Sequence, residues 1–199
     1  MTAVTLNLDS ITTLTHEQFR ELSLSNRDVR LELTEKGELV VMPPTGEESG
    51  RRNFDLSGQI WNWNRQTKLG TAYDSSTGFR LPNGAVRSPD SAWVRQERLD
   101  ALDYDPDKFL PLAPDFVIEL RSASDTAKDI RDKMKEYMDN GVRLGWFLNA
   151  KAKEVEIYRL GQDVEVLRWQ SLSEGDSPMS LSGEDVLPGF VLELKGILD

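Results

Sequence analysis

Val29, Leu31 and Leu33 alternate with Arg30, Glu32 and Thr34, the period of a half-buried strand. After a Lys36-Gly37 turn, the run from Glu38 to Met42 reads as the second arm of a hairpin, stopped at Pro43-Pro44. Upstream, Thr15 and Gln18 have the spacing of a capping box, and Phe19 with Leu22 supplies an apolar stripe, which predicts a short helix over 16–24. Residues 1–15 carry no helical period and read as an arm or loosely tied strand. From Glu47 to Lys68 there is no proline, and Leu56, Ile60 and Trp63 fall at i, i+4 and i+7, predicting a helix of roughly 20 residues ended by Gly70.

Short strand-like runs follow at 71–73, 78–81 and 85–94, separated by turn sequences. The Asp- and Pro-rich stretch 97–114 reads as a surface excursion. It leads into Phe116-Val117-Ile118-Glu119-Leu120, the most continuous strand signal in the chain. Ile130, Met134 and Tyr137 define one face of a second long helix over 125–139, closed by Asn140-Gly141. Strands are predicted at 144–148, at 155–158 and, paired with the latter, at 164–169. A polar loop, 171–185, precedes a last apolar segment, 186–194. This order is that of an α/β (α+β) domain, a mixed sheet with helices packed on it, spanning 16–199 as one unit.

Charge changes the picture in one respect. The 199 residues carry a net charge of −10, which argues against a broad basic surface for nucleic acid or anionic membrane. With no cysteine and one histidine, there is no thiolate or multi-histidine metal site and no Ser-His or Cys-His catalytic pair. His16 sits in the short peripheral helix beside Glu17 and reads as a solvated side chain. No glycine-rich phosphate loop, membrane-length apolar run or signal-peptide pattern is present, so a cytoplasmic protein is the expectation. Trp61, Trp63, Trp93, Trp146 and Trp169 read as core or interface residues. Trp61 and Trp63, two apart on one helix, cannot face the same way, and one of them can mark a homodimer surface.

Three charged residues, Glu119, Asp90 and Lys133, conflict with the elements that hold them, and Glu48 joins them as a candidate. Glu119 lies in a strand covered on both faces, so its carboxylate needs a cation, a donor or a proton; Arg121 and Arg143 are the bland partners. Asp90, in Ser88-Pro89-Asp90, fits a plain turn. On adjoining strands, however, it and Glu119 could share a divalent cation of the magnesium type. Lys133 falls on the apolar face of its helix, where it either snorkels or closes on Glu119 and Asp90. Glu48 opens the first long helix, where the helix dipole favours an acid, and is a third carboxylate if that face abuts the sheet. Arg51 and Arg52 follow it with positive charge.

SPD at 88–90, PDFVIELRSASD at 114–125, KMKEYMDNGVRLGWFL at 133–148, MPPTGEESGRRN at 42–53 and VLPGF at 186–190 together resemble the Uma-two family of restriction-endonuclease-like proteins, from about residue 16 onward. That family lies in the PD-(D/E)xK nuclease superfamily. The resemblance implies a restriction-endonuclease-like core, a mixed sheet flanked by helices, with extra N- and C-terminal strands. It also implies a metal-dependent endonuclease cutting nucleic acid, DNA foremost, with magnesium or manganese held by Asp90, Glu119 and Glu48. Arg121 stands where the superfamily pattern has lysine, and the lysine has moved to the following helix as Lys133. In that reading Lys133, helped by Arg121, offsets charge developing on phosphate, and Arg51 and Arg52 contact the nucleic acid. The rival expectation is a nuclease-fold module with a decayed site that acts in nucleic-acid binding or assembly.

Overall fold

A computed structural model describes residues 3–123, 125–168 and 180–198. Trp169 and most of the polar loop over 171–185 lie outside them. The chain runs β1 (Val4–Leu6), α1 (His16–Ser25), β2 (Arg30–Leu33), β3 (Leu39–Met42), α2 (Glu47–Thr67), β4 (Gly70–Asp74), β5 (Phe79–Arg80), β6 (Val86–Arg87) and β7 (Ser91–Arg95). It continues through α3 (Gln96–Asp100), β8 (Phe116–Leu120), α4 (Ala127–Asp139), β9 (Leu144–Asn149), β10 (Glu154–Arg159), β11 (Glu165–Arg168), β12 (Ser180–Ser182) and β13 (Val191–Glu193).

The central sheet has six strands in the order β11-β10-β9-β8-β7-β4. Among the described residues of this sheet only β8 and β9 pair in parallel, which requires a crossover, and α4 supplies it. Leu56, Ile60 and Trp63 of α2 pack with Phe116, Ile118 and Leu120 on one face, together with apolar residues of the C-terminal segment such as Phe190 and Leu192. Ile130, Met134 and Tyr137 of α4 pack with Val117 and Phe147 on the other. The strands of this sheet's centre are thus buried on both faces, which is why β8 and β9 read as nearly continuous apolar runs, interrupted by Glu119 in β8.

A second, antiparallel sheet has the order β1-β3-β2-β6-β5 and carries α1, whose Phe19 is fully buried. The capping box forms as predicted: Thr15 accepts from the Gln18 amide, and the Gln18 side chain accepts from the Thr15 N–H. The N-terminal arm is tied down as β1 along β3. His16 is half-buried rather than free in solvent: its Nε2 donates to the Gly84 carbonyl at 2.9 Å, pinning α1 to the turn before β6.

The run 85–94 is two strands in two sheets. β6 belongs to the antiparallel sheet and β7 to the central one, and the chain crosses between them at Ser88-Pro89-Asp90. Pro89 has no N–H for a ladder, so pairing stops there. The stretch 97–114 is less of an excursion than its composition implies, because Leu99, Leu110 and Leu112 are buried in the core beneath α4.

Candidate active site

The crossing at residues 88–90 brings the two sheets and both long helices to one place. In the antiparallel β7–β8 pair Ser91 opposes Ile118, and one step further the same register sets Asp90 opposite Glu119, where the strands part. Strand alternation puts Glu119 on the face of Val117, toward α4. There its Oε1 accepts from the Tyr137 hydroxyl at 2.9 Å and lies 2.8 Å from Lys133 Nζ. Lys133 and Tyr137 are neighbours at i, i+4 on that helix. Lys133 therefore closes on a carboxylate instead of snorkelling, and the partners of Glu119 are neither Arg121 nor Arg143.

Asp90 is held from two sides. The Leu120 N–H donates to Oδ2 at 2.8 Å, and Asn53 Nδ2 of α2 donates to Oδ1 at 3.1 Å. Lys133 has a second carboxylate partner: Glu32 of β2, with 2% of its surface exposed, has Oε1 2.8 Å from Nζ. Glu32 also accepts from the Ser88 N–H at 2.8 Å and from Arg87 at 3.1 Å, and Arg87 is in turn paired with Glu136.

These contacts set the ionisation of the site. Burial alone would raise the Glu32 carboxyl, but Lys133 and Arg87 outweigh it and hold it down at about 2. Burial, reinforced by Asp90 and Glu32 against the opposing pull of Lys133, pushes Glu119 up to about 7. Burial raises Asp90 as well. For Lys133 burial disfavours the ammonium, yet Glu119 and Glu32 more than offset it, and the group sits above its ordinary value. It is a fixed cation, unsuited to take a proton from water.

The site opens on a cleft of about 1160 Å³, lined by Asp90, Glu119, Lys133, Asn53, Arg30 and Glu48 among others. Glu48 lies at its rim, with its side chain 66% exposed and paired with Arg52 at 2.7 Å. Among the described residues no three His, Cys, Asp or Glu side chains form a group able to hold a metal, so the structure does not join Glu48 to Asp90 and Glu119. The α2 residue that reaches Asp90 is Asn53. Arg121 points away from the cleft lining, to the Asp125 carbonyl and Asn149 Oδ1. Arg51 and Arg52 are also absent from that lining; Arg51 binds Asp55 and the Gly196 carbonyl at the C-terminal segment.

The donor set suits a hard divalent ion. Among the described residues Asp90 has no ion-pair partner, and Glu119 shares its single ammonium with Glu32, so negative charge is in surplus. The Tyr137 and Lys133 contacts of Glu119 both fall on Oε1, and among the described residues the buried Oδ1 of Asn53 beside Asp90 has no hydrogen-bond partner. Two carboxylates with room for waters and phosphate oxygens are what magnesium and manganese take.

Residues 16–195 match the Uma2 family, whose description is "Putative restriction endonuclease". The chain belongs to the Uma2 family. No curated protein matches it. Among solved structures it is similar to one described as "a putative nuclease belonging to DUF820" from Anabaena variabilis ATCC 29413, with a TM-score of 0.73 at 16% identity, covering 93% of this chain and 97% of that one. At that identity the likeness establishes the fold, a mixed sheet between helices. Membership of Uma2 makes this a protein of nuclease type. No helix among the described residues is long and apolar enough to cross a membrane.

Proposed function

We propose that this Uma2 protein is a metal-dependent endonuclease that hydrolyses phosphodiester bonds of DNA, with magnesium or manganese bound by Asp90 and Glu119. The observation that carries this reading is the pair of cross-strand carboxylates, Asp90 and Glu119, with Lys133 paired to Glu119, at the wall of an open cleft. A bound divalent ion would supply Lewis-acid polarisation of the scissile phosphate and a water acidified enough to attack it.

The chain's own groups supply the rest. Leu120 N–H and Asn53 fix the Asp90 carboxylate, and Tyr137 fixes that of Glu119. Lys133 has three N–H donors and spends two on Glu32 and Glu119. The third is available to a phosphate oxygen as negative charge builds there. Arg30, whose charge already acts on Asp90, is the nearer helper. Arg121, held by Asn149 and Asp125, supports the turn after β8.

Supercoiled plasmid and single-stranded DNA incubated with the protein in magnesium or manganese test the reading. Nicking or cleavage is expected, falling by about a hundredfold or more in Asp90→Ala, Glu119→Ala and Lys133→Met. Absence of cleavage by the wild type overturns it and leaves a nuclease-fold binding module.

The protein acts as a homodimer through the outer face of α2. Trp63 is core, whereas Trp61 and Phe54, one above the other on that helix, are 54% and 79% exposed, and Arg65 lies 4.8 Å over the Trp61 ring. Antiparallel pairing of two α2 helices about a two-fold axis sets the acidic first turn, Glu47 and Glu48, against Arg65 near the end of the partner helix. Sedimentation should give a dimer that Trp61→Ser converts to monomer; a monomeric wild type refutes it.

A further inference from the structure

We infer that Glu32 is a positioning residue of the site, one that divides the charge of Lys133 between two sheets and so governs how firmly Glu119 can hold a cation. The inference rests on the assignment of Glu119 and Lys133 to the site. It adds a residue from the other sheet, with a role of its own.

Three observations carry it. Glu32 is almost wholly buried at 2% exposure, although its neighbours Leu31 and Leu33 pack into the cluster under α1, so it is turned the other way, toward α4. Its Oε1 receives two donors from different elements, Lys133 Nζ and the Ser88 N–H, each at 2.8 Å. Lys133 Nζ is in turn 2.8 Å from Oε1 of Glu32 and 2.8 Å from Oε1 of Glu119. Ser88 stands two residues before Asp90, so one carboxylate fixes both the lysine and the segment that delivers the aspartate.

The arrangement has a chemical consequence. An ammonium resting on Glu119 alone would neutralise it and compete with a divalent ion for the same carboxylate. Drawn back by Glu32, Lys133 meets Glu119 at Oε1, the oxygen that also takes the Tyr137 hydroxyl, on a residue that lines the cleft. A buried carboxylate present only for stability has an apolar alternative that is often neutral or better. Three donors converging on Glu32, from Ser88, Lys133 and Arg87, describe a joint between elements.

The full-length protein and its Glu32→Gln and Glu32→Asp variants decide the matter through three readouts. The first needs neither metal nor activity: acetylation of Lys133 by acetic anhydride, followed by mass spectrometry against the exposed Lys128 as internal standard. Lys133 should react slowly in the wild type and about tenfold faster in Glu32→Gln, with Glu32→Asp between the two. The second is manganese binding by calorimetry. Glu32→Gln should weaken it about tenfold, and the same change made in a Lys133→Met background should have little effect, because the influence passes through the lysine. The third is the split of kinetic constants, a fall in kcat with KM held within about twofold.

An unchanged Lys133 reactivity in folded Glu32→Gln overturns the inference. So does an equal loss of manganese affinity with and without Lys133, which would mark a general charge effect. If the wild type neither binds manganese nor cleaves, the nuclease reading fails while the acetylation result still decides the role of Glu32. Should Glu32→Gln fail to fold, Glu32→Asp, which keeps the charge but shortens its reach, carries the same comparisons.

Discussion

Glu32 is also the residue whose ionisation ties this site to the stability of the fold. Its carboxyl is depressed from 4.5 to about 2, burial being outweighed by Lys133 and Arg87. For a group whose folded value lies below the unfolded one, the stabilisation is complete above the unfolded value and is lost as pH falls toward the folded one. The window is therefore from about pH 4.5 down to pH 2, and the full difference is about 3 kcal/mol. Urea titrations at pH 7 should give Glu32→Gln a deficit of about this size, and at pH 2 the two proteins should differ little. A deficit that stays constant with pH would place the cost in packing rather than in charge. At this scale sequence reading succeeds where a residue breaks its pattern. Glu119 in an apolar strand and Lys133 on an apolar helix face announced themselves, and they meet at 2.8 Å. Glu32 gave no such signal, because a charged residue alternating with leucines is what a solvent-facing strand position looks like. Arg51, Arg52 and Glu48 show the complementary difficulty: adjacent in sequence at the right helix end, they do not share one place, since Glu48 lies at the cleft rim and the two arginines are absent from its lining.

The elements set which of these side chains can meet. α2 brings Asn53 to Asp90, and three turns further on Asn64 anchors the same helix to the sheet. Asn64 Oδ1 accepts from Trp93 Nε1 at 2.8 Å and its Nδ2 donates to the Gly70 carbonyl at 2.9 Å. Gly70 has no room for a side chain, since an added Cβ would lie 2.1 Å from the Val94 carbonyl oxygen and against the Trp93 ring, so β4 and β7 approach closely where the helix is anchored. Asn64→Leu leaves a fully buried indole N–H unpaired and should cost about 1–3 kcal/mol. Thermal melts would register that loss, and because the helix register reaches Asn53, manganese affinity should fall with it. Melting unchanged within error would show the anchor to be redundant. The long, strongly periodic elements were legible: α2, α4, β8 and the β2–β3 hairpin stand where the pattern put them. The division of strands between two sheets was not. Residues 85–94 carry a continuous strand signal, and only tertiary pairing reveals that Pro89 ends one sheet's strand and Asp90 opens the other's.

Across the whole molecule the net charge of −10 has to be reconciled with a polyanionic substrate. Acidic side chains outnumber basic ones along the cleft, where Arg30 and Lys133 are the cations that bear on Asp90 and Glu119. An ordinary DNA-binding surface gains affinity by releasing counterions from many phosphates, and its log K falls with log salt at about 0.9 per phosphate neutralised. Two facing cations predict a slope magnitude of about 2, far shallower than that of a protein with an extended basic patch. The divalent ion then has to supply what the protein lacks. Fluorescence anisotropy with a labelled oligonucleotide and the Asp90→Asn protein, in calcium to suppress cleavage, should therefore show weaker binding than for the wild type. With EDTA both proteins should bind feebly and alike, because the acidic cleft repels phosphate until a cation bridges it. A steep salt dependence that persists in EDTA would mean that DNA is held elsewhere on the surface. The Asp90–Glu119 cleft would then be a binding site for something other than a nucleic-acid strand.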